Sequence, residues 1–343
     1  MAKGPEPPRT DVEKDLNRAV SAYSRGRFYE VESILYRIIW TMQISPDEHI
    51  QARTLLGNAL RRMGRTAEAE KELRKALEIS TAEGKASTRR DLMLSMGKLH
   101  FRKGDLDLAN DLLKEAHDGA KEAGDGLLQG KALIDMGNVQ IMLGNYKAAE
   151  LRFQDGVKLI EVNGTKFELM RGLHNLAYVH FHLGDLAKAK EVLTRCLDLC
   201  RDAEPGMCVY VYSDLAHTCI KLGELDRAEE LLKKAGEMLD RTGDALGRLN
   251  VRWVQGILMA ARGDLYGALV VFEEVSKAIE DVGSMANLIE VILDYVPIMI
   301  SAGRADAAEK ALAKARAIVE ERSLDHFKKR IAETQGMIKK NRA

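Results

Sequence analysis

Apolar residues along most of this chain return at three- and four-residue intervals, in paired segments separated by short polar turns such as RMGRT, RKGDL, MLGNY, HLGDL, KLGEL and ARGDL. That spacing puts the apolar side chains on one face of a helix, so each turn is predicted to join two helices that bury facing stripes. A glycine sits in every turn: Gly26, Gly64, Gly104, Gly144, Gly184, Gly223, Gly263 and Gly303 follow one another at 38, 40, 40, 40, 39, 40 and 40 residues. Self-similarity at a fixed period of this size means a stacked array rather than two or three separate globular domains. A glycine just past a helix end takes the left-handed conformation that closes the helix and reverses the chain, so the repeating unit is a helical hairpin.

Residue size repeats with the same register. Seven residues before the turn glycine stand Ala19, Gly57, Gly97, Gly137, Ala177, Ala216 and Gly256, with Val296 the exception. Five after it come Val31, Ala69, Ala109, Ala149, Ala189, Ala228, Ala268 and Ala308, and nine after it Leu35, Leu73, Leu113, Phe153, Leu193, Leu232, Phe272 and Leu312. Small positions on one helix facing large ones on the next fill an inter-helix core without voids.

On the residues Leu56-Gly57, Gly64, Ala69, Leu73 and Ala76, repeated in the later units, the chain resembles tetratricopeptide repeat proteins over residues 11 to about 320. It is similar in particular to the roughly 40-residue subclass of bacterial peptide-sensing regulators and polarity adaptors. The resemblance implies an all-α fold, a right-handed α-solenoid of about eight hairpins, with first helices lining a concave face and second helices a convex one. The longer period has its source in a second ladder, Gly84, Gly124, Gly164, Gly243 and Gly283, with Pro205-Gly206 in the fifth repeat and Pro46 in the first. These mark the ends of extended second helices.

Three segments follow: a disordered tail over residues 1–10, the array over 11–322, and a capping helix over 323–343. The cap is expected because a solenoid leaves apolar surface at its ends. Leu324, Phe327, Ile331 and Ile338 share one helical face, with Lys328, Lys329, Arg330, Lys339 and Lys340 on the others. Pro297, beside Val296, falls inside the first helix of the last repeat, where it removes a backbone hydrogen bond and bends the helix.

Lys plus Arg and Asp plus Glu are both 52, so no global field favours nucleic acid or an anionic membrane, and neither is expected as a partner. The first ten residues carry three prolines and no apolar core, which is neither a secretory signal nor a span and points to the cytoplasm. There Cys196, Cys200, Cys208 and Cys219 are expected to stay reduced, with Cys196 and Cys219 at buried repeat positions and Cys200 and Cys208 as the candidates for exposure.

Candidate groove residues follow from register on the first helices. Three before the turn glycine, Phe101, Ile141, Phe181 and Ile220 form an apolar stripe preceded by Arg61, with Ile134, Tyr178 and Trp253 directed to the same side. Six before it stand Asn58, Lys98, Asn138, Tyr178 and His217; nine before it, Asn175 and Asp214. Asn138 and Asn175 offer donor and acceptor to a peptide backbone. The alternative for the stripe is packing against the adjacent first helix, and for the asparagines chance placement. The carboxylate clamp of chaperone adaptors is disfavoured, because Ile134 stands where its first Lys belongs and Tyr210 and Asp214 where its last cationic pair belongs. Arg61, Arg62, Lys98, Arg102, Lys131 and Arg171 make the early groove basic, with Asp91 and Asp135 among few acids, which favours an acidic segment unless the face is simply solvated.

Residues able to carry chemistry are sparse. His174 and His182 lie about 12 Å apart along one helix and cannot share a metal unaided; His174 and His217 are kept as groove residues, and His180 falls at a core position. No paired-cysteine zinc spacing, phosphate-cradling loop or nucleophile elbow occurs, so no enzyme activity, metal or cofactor is expected. The reading is a scaffold or adaptor that binds a peptide segment of a partner protein in the concave groove. The alternatives are a peptide-sensing regulator acting through another chain, and a self-assembling scaffold in which copies form a homo-oligomer.

Overall fold

A computed structural model describes residues 9–200, 205–242 and 244–342. Residues 1–8 of the expected tail, and Gly243 of the second glycine ladder, lie outside the described residues. Within the expected tail, residues 9 and 10 already belong to the first helix.

Helices follow one another in pairs, all α and without a strand among the described residues: α1 (Arg9–Ser24) and α2 (Phe28–Thr41), α3 (Pro46–Arg62) and α4 (Thr66–Ala82), α5 (Ala86–Lys103) and α6 (Leu106–Glu122), α7 (Gly126–Met142) and α8 (Tyr146–Asn163). The series continues with α9 (Lys166–Leu183) and α10 (Leu186–Leu199), α11 (Pro205–Lys221) and α12 (Leu225–Thr242), α13 (Ala245–Ala261) and α14 (Leu265–Val282), α15 (Met285–Ser301) and α16 (Ala305–Arg322). A 3-10 turn, Asp325–Phe327, leads into α17 (Lys328–Arg342). The chain forms two compact units, residues 1–139 and 140–343.

Every turn glycine named above has positive φ, and Gly184 shows why the position matters. With φ +82° it caps α9, its N–H donating to the Phe181 carbonyl at 3.1 Å while Asp185 N–H reaches back to the His180 carbonyl at 2.9 Å. A Cβ there would meet nothing within 4 Å, so Gly184→Ala is expected to cost about 1 kcal/mol through backbone strain alone; a urea denaturation curve with unchanged m measures it. Helix starts use different chemistry. Ser45 with Glu48 and Thr165 with Glu168 form capping boxes for α3 and α9, so Gly164 ends α8 in an extended conformation, φ −100°, and Pro46 opens α3.

The size alternation is realised in both units. A Cβ on Gly57 would lie 2.7 Å from Leu73 Cγ, and one on Gly97 2.7 Å from Leu113 Cγ, in the first unit; in the second, Gly256 faces Val271 and Phe272 at 3.0 and 3.2 Å. Leu73, Leu113 and Phe272 are fully buried opposite these glycines, and Leu35, Phe153 and Leu312 at the equivalent positions are fully buried too. Val296 is buried as well, and α15 runs as one helix through Pro297.

Two expectations need correction. Cys200 and Cys208 are both buried and paired as a disulfide, rather than exposed reduced thiols. Their Cα atoms lie 5.8 Å apart, within bridging range. Cys196 and Cys219 are free and buried, and burial pushes their thiols up to about 12 and about 11. Arg330, assigned by amphipathic pattern to an outer face of the last helix, turns inward instead. Phe327 and Ile331 anchor that helix while Arg330 pairs with Glu290 of α15 at 2.6 Å.

Candidate binding cavity in the second unit

A cavity of about 420 Å³ opens in the second unit, walled by the inner faces of α9, α11, α13 and α15 and by the end of α7. Leu193 of α10 and Ile279 of α14 also line it, as does the segment entering α17, which contributes His326, Phe327 and Arg330. That segment backs onto the α7–α8 turn: a Cβ at Gly144 would lie 3.9 Å from His326 Cα. Nine of the 25 lining residues carry a phenyl, phenol, indole or imidazole ring. Phe181 and His217 have ring centroids 4.7 Å apart, Tyr178 and His182 4.2 Å, and His217 meets Trp253 edge-on at 6.1 Å.

Charge enters this apolar lining as pairs. Asp214 on α11 holds His174 on α9 at 2.7 Å. Burial alone would lower the His174 imidazole; the hydrogen bond and charge of Asp214 outweigh it and raise it. On the opposite wall Arg330 donates to Glu290, which also accepts from Tyr178 Oη at 3.2 Å. Burial pulls the Glu290 carboxyl upward, but the Arg330 charge outweighs it and holds the group below its ordinary value. His182 and His217 have no such partner to offset burial, which lowers them to about 4 and about 3, so both rings are neutral at neutral pH. Asp294 is the exception among the acids: neutral His217 Nε2 and the Lys221 ammonium stand 3.8 and 4.0 Å away, and burial raises its carboxyl. Three lining atoms, Trp253 Nε1, His217 Nε2 and Asn250 Oδ1, are buried without a hydrogen-bond partner among the described residues.

Of the residues selected from sequence, Ile141, His174, Tyr178, Phe181, His217 and Trp253 meet in this cavity; Asn175 and Ile220 belong to the same unit but do not line it. Ile220 is buried. Asn58, Arg61, Lys98, Phe101, Arg102, Lys131, Ile134 and Asn138 fall in the first unit. There Asn58 donates to Ser95 at 3.2 Å and Lys98 pairs with Asp135 at 3.1 Å, so this basic face carries its own partners. Arg61 is part-buried, and burial lowers its guanidinium. Ile134 is fully buried and cannot serve as a groove contact, although it shares the register of His174 and Trp253, ten residues before the turn glycine.

Sequence reasoning passed over Asn250, Glu290, Asp294, His326, Phe327 and Arg330. A signal existed for three of them. Asn250 and Glu290 stand thirteen residues before their turn glycines, as Lys131 and Arg171 do, and Asp294 stands nine before, as Asn175 and Asp214 do. Elsewhere in the unit Glu150, His180 and Asp185 cluster closely enough to hold a cation, but Lys147 and Lys188 already place ammonium groups 3.3 and 3.4 Å from the two carboxylates. No helix among the described residues is long and apolar enough to cross a membrane.

This architecture is shared with solved structures at low identity. A Rap protein complexed with competence and sporulation factor superposes with a TM-score of 0.73 at 12% identity, covering 97% of this chain and 90% of that one. The apo quorum sensor NprR from B. thuringiensis does so at 0.70 and 14%, covering 90% and 87%. Aspartyl phosphate phosphatase F from Bacillus subtilis gives 0.68 and 13%, covering 93% and 96%. No curated protein sequence matches the chain. Residues 62–315 match the MalT-like TPR region, and with the greater part of its length so matched, the chain belongs to that tetratricopeptide family.

Proposed function

We propose that the protein is an interaction scaffold that binds a peptide segment of a partner protein along the inner faces of its first helices. The observation that carries this reading is the second-unit cavity, where rings and aliphatic side chains surround buried polar atoms that have no partner among the described residues. Burying such atoms unpaired is costly, and a bound chain that pairs them recovers that cost.

Regulation through another chain is the second reading. It is supported by the neighbours just described, a Rap protein complexed with competence and sporulation factor and the quorum sensor NprR.

A peptide array probed with the purified protein tests the main reading. Replacing Phe181 and Trp253 by Ala is expected to weaken captured peptides by at least about tenfold, the range of aromatic anchors at interfaces, with helicity by circular dichroism unchanged. Undiminished capture by that variant would remove the cavity from the binding surface.

A further inference from the structure

The cavity holds more acceptors than it can satisfy from its own walls. Two of its acids are neutralised at hydrogen-bond distance, Asp214 by His174 at 2.7 Å and Glu290 by Arg330 at 2.6 Å. Asp294 is not. His217 and Lys221 approach it only to 3.8 and 4.0 Å, beyond a hydrogen bond, and neutral His217 brings no charge. Lys221 reaches from the rim with its side chain half exposed. His217 Nε2, 3.8 Å from Asp294, and Asn250 Oδ1 elsewhere in the lining are further acceptor sites without a donor among the described residues, the histidine nitrogen when its hydrogen sits on Nδ1. The Phe181 and Trp253 ring centroids lie 4.7 and 6.1 Å from that of His217.

A carboxylate that no cation reaches at hydrogen-bond distance, with neutral acceptors and aromatic rings beside it, is the chemistry that holds an organic cation: the charge is paired, every N–H finds an acceptor, and the ring quadrupoles add attraction. An anion would be repelled by Asp294, and an apolar group would leave the acceptors stranded. We infer that the cavity seats an ammonium or guanidinium group between Asp294 and His217, against Phe181 and Trp253. The inference rests on the reading of this cavity as a ligand site and adds the charge and class of what enters it. Such a group can belong to a basic side chain of a bound peptide or to a small free amine.

Fluorescence of Trp253 separates these cases once the exposed Trp40 is replaced, so the titration uses the full chain carrying Trp40→Phe. N-acetyl-arginine amide stands for the peptide side chain, its citrulline analogue for the same shape without charge, and putrescine for a free amine. Saturable change with the arginine probe, at least about tenfold weaker with citrulline, is expected. Asp294→Asn should abolish that preference and Lys221→Met, which removes the competing internal cation, should tighten arginine binding. Saturation by putrescine at lower concentration than by the arginine probe would assign the site to free amines. Equal binding of arginine and citrulline would overturn the inference while leaving a ligand site in place, and so would unchanged preference in the Asp294 variant. Silence from all three probes would also overturn it, with the peptide array deciding the broader reading separately. Should Asp294→Asn fail to fold by circular dichroism, Lys221→Met carries the test alone, and unaltered affinity there counts against the site.

Discussion

Glu290→Ala is expected to destabilise the second unit by about 3–5 kcal/mol, the cost of leaving one member of a buried ion pair alone. Arg330 and Glu290 have side chains only 23% and 13% exposed, so water cannot readily replace the missing carboxylate around the guanidinium. Tyr178 loses its acceptor in the same step. Because the pair joins α17 to α15, freeing Arg330 loosens the segment that walls the cavity through His326 and Phe327. The paired replacement Glu290→Leu with Arg330→Met removes both charges and is expected to recover most of the loss, giving a large coupling energy in a double-mutant cycle read by urea denaturation. The pair also sets a pH dependence. Glu290 is held below its unfolded value, so its contribution is present in full above the ordinary carboxylate range and disappears as pH falls through the lower folded value. Wild type should therefore lose more stability than the doubly substituted protein between neutral and acidic pH; parallel curves would show that the pair contributes little.

The repeat was legible because it is written in local, strictly periodic features. Gly184 needs a positive φ and Gly57 needs to lack a side chain opposite Leu73, and each requirement recurs at a fixed offset. The cavity was legible only in part, since register assigns a helix face but not how neighbouring helices close over it. Ile134 and Trp253 share a register, yet the first is fully buried and the second lines the cavity. Arg330 shows the other limit. On its own helix it looks like one more solvated cation beside Lys328 and Lys329, and its buried role is set by Glu290, forty residues earlier. The disulfide likewise depends on how α10 and α11 approach, which the spacing of Cys200 and Cys208 does not reveal.

Phe272→Ala should cost about 3–5 kcal/mol, the loss expected for a fully buried phenylalanine in the packed interior of the second unit. The ring is fully buried and stacks on Tyr295 at a centroid distance of 4.9 Å, so its removal opens a void that the helices, fixed by their neighbours, cannot collapse into. Gly256 lies on the facing helix, where an added Cβ would meet Phe272 at 3.2 Å and Val271 at 3.0 Å. Alone, Gly256→Ala therefore sets a gain of about 1 kcal/mol in helix propensity against crowding of the ring. With the ring gone the crowding falls while the propensity gain remains, so the second substitution should stabilise Phe272→Ala by more than it changes wild type. That asymmetry is the physical content of the small-against-large rule, and chemical denaturation of the four proteins in the cycle measures it. Additive effects would mean that the glycine at this crossing serves some purpose other than admitting the ring.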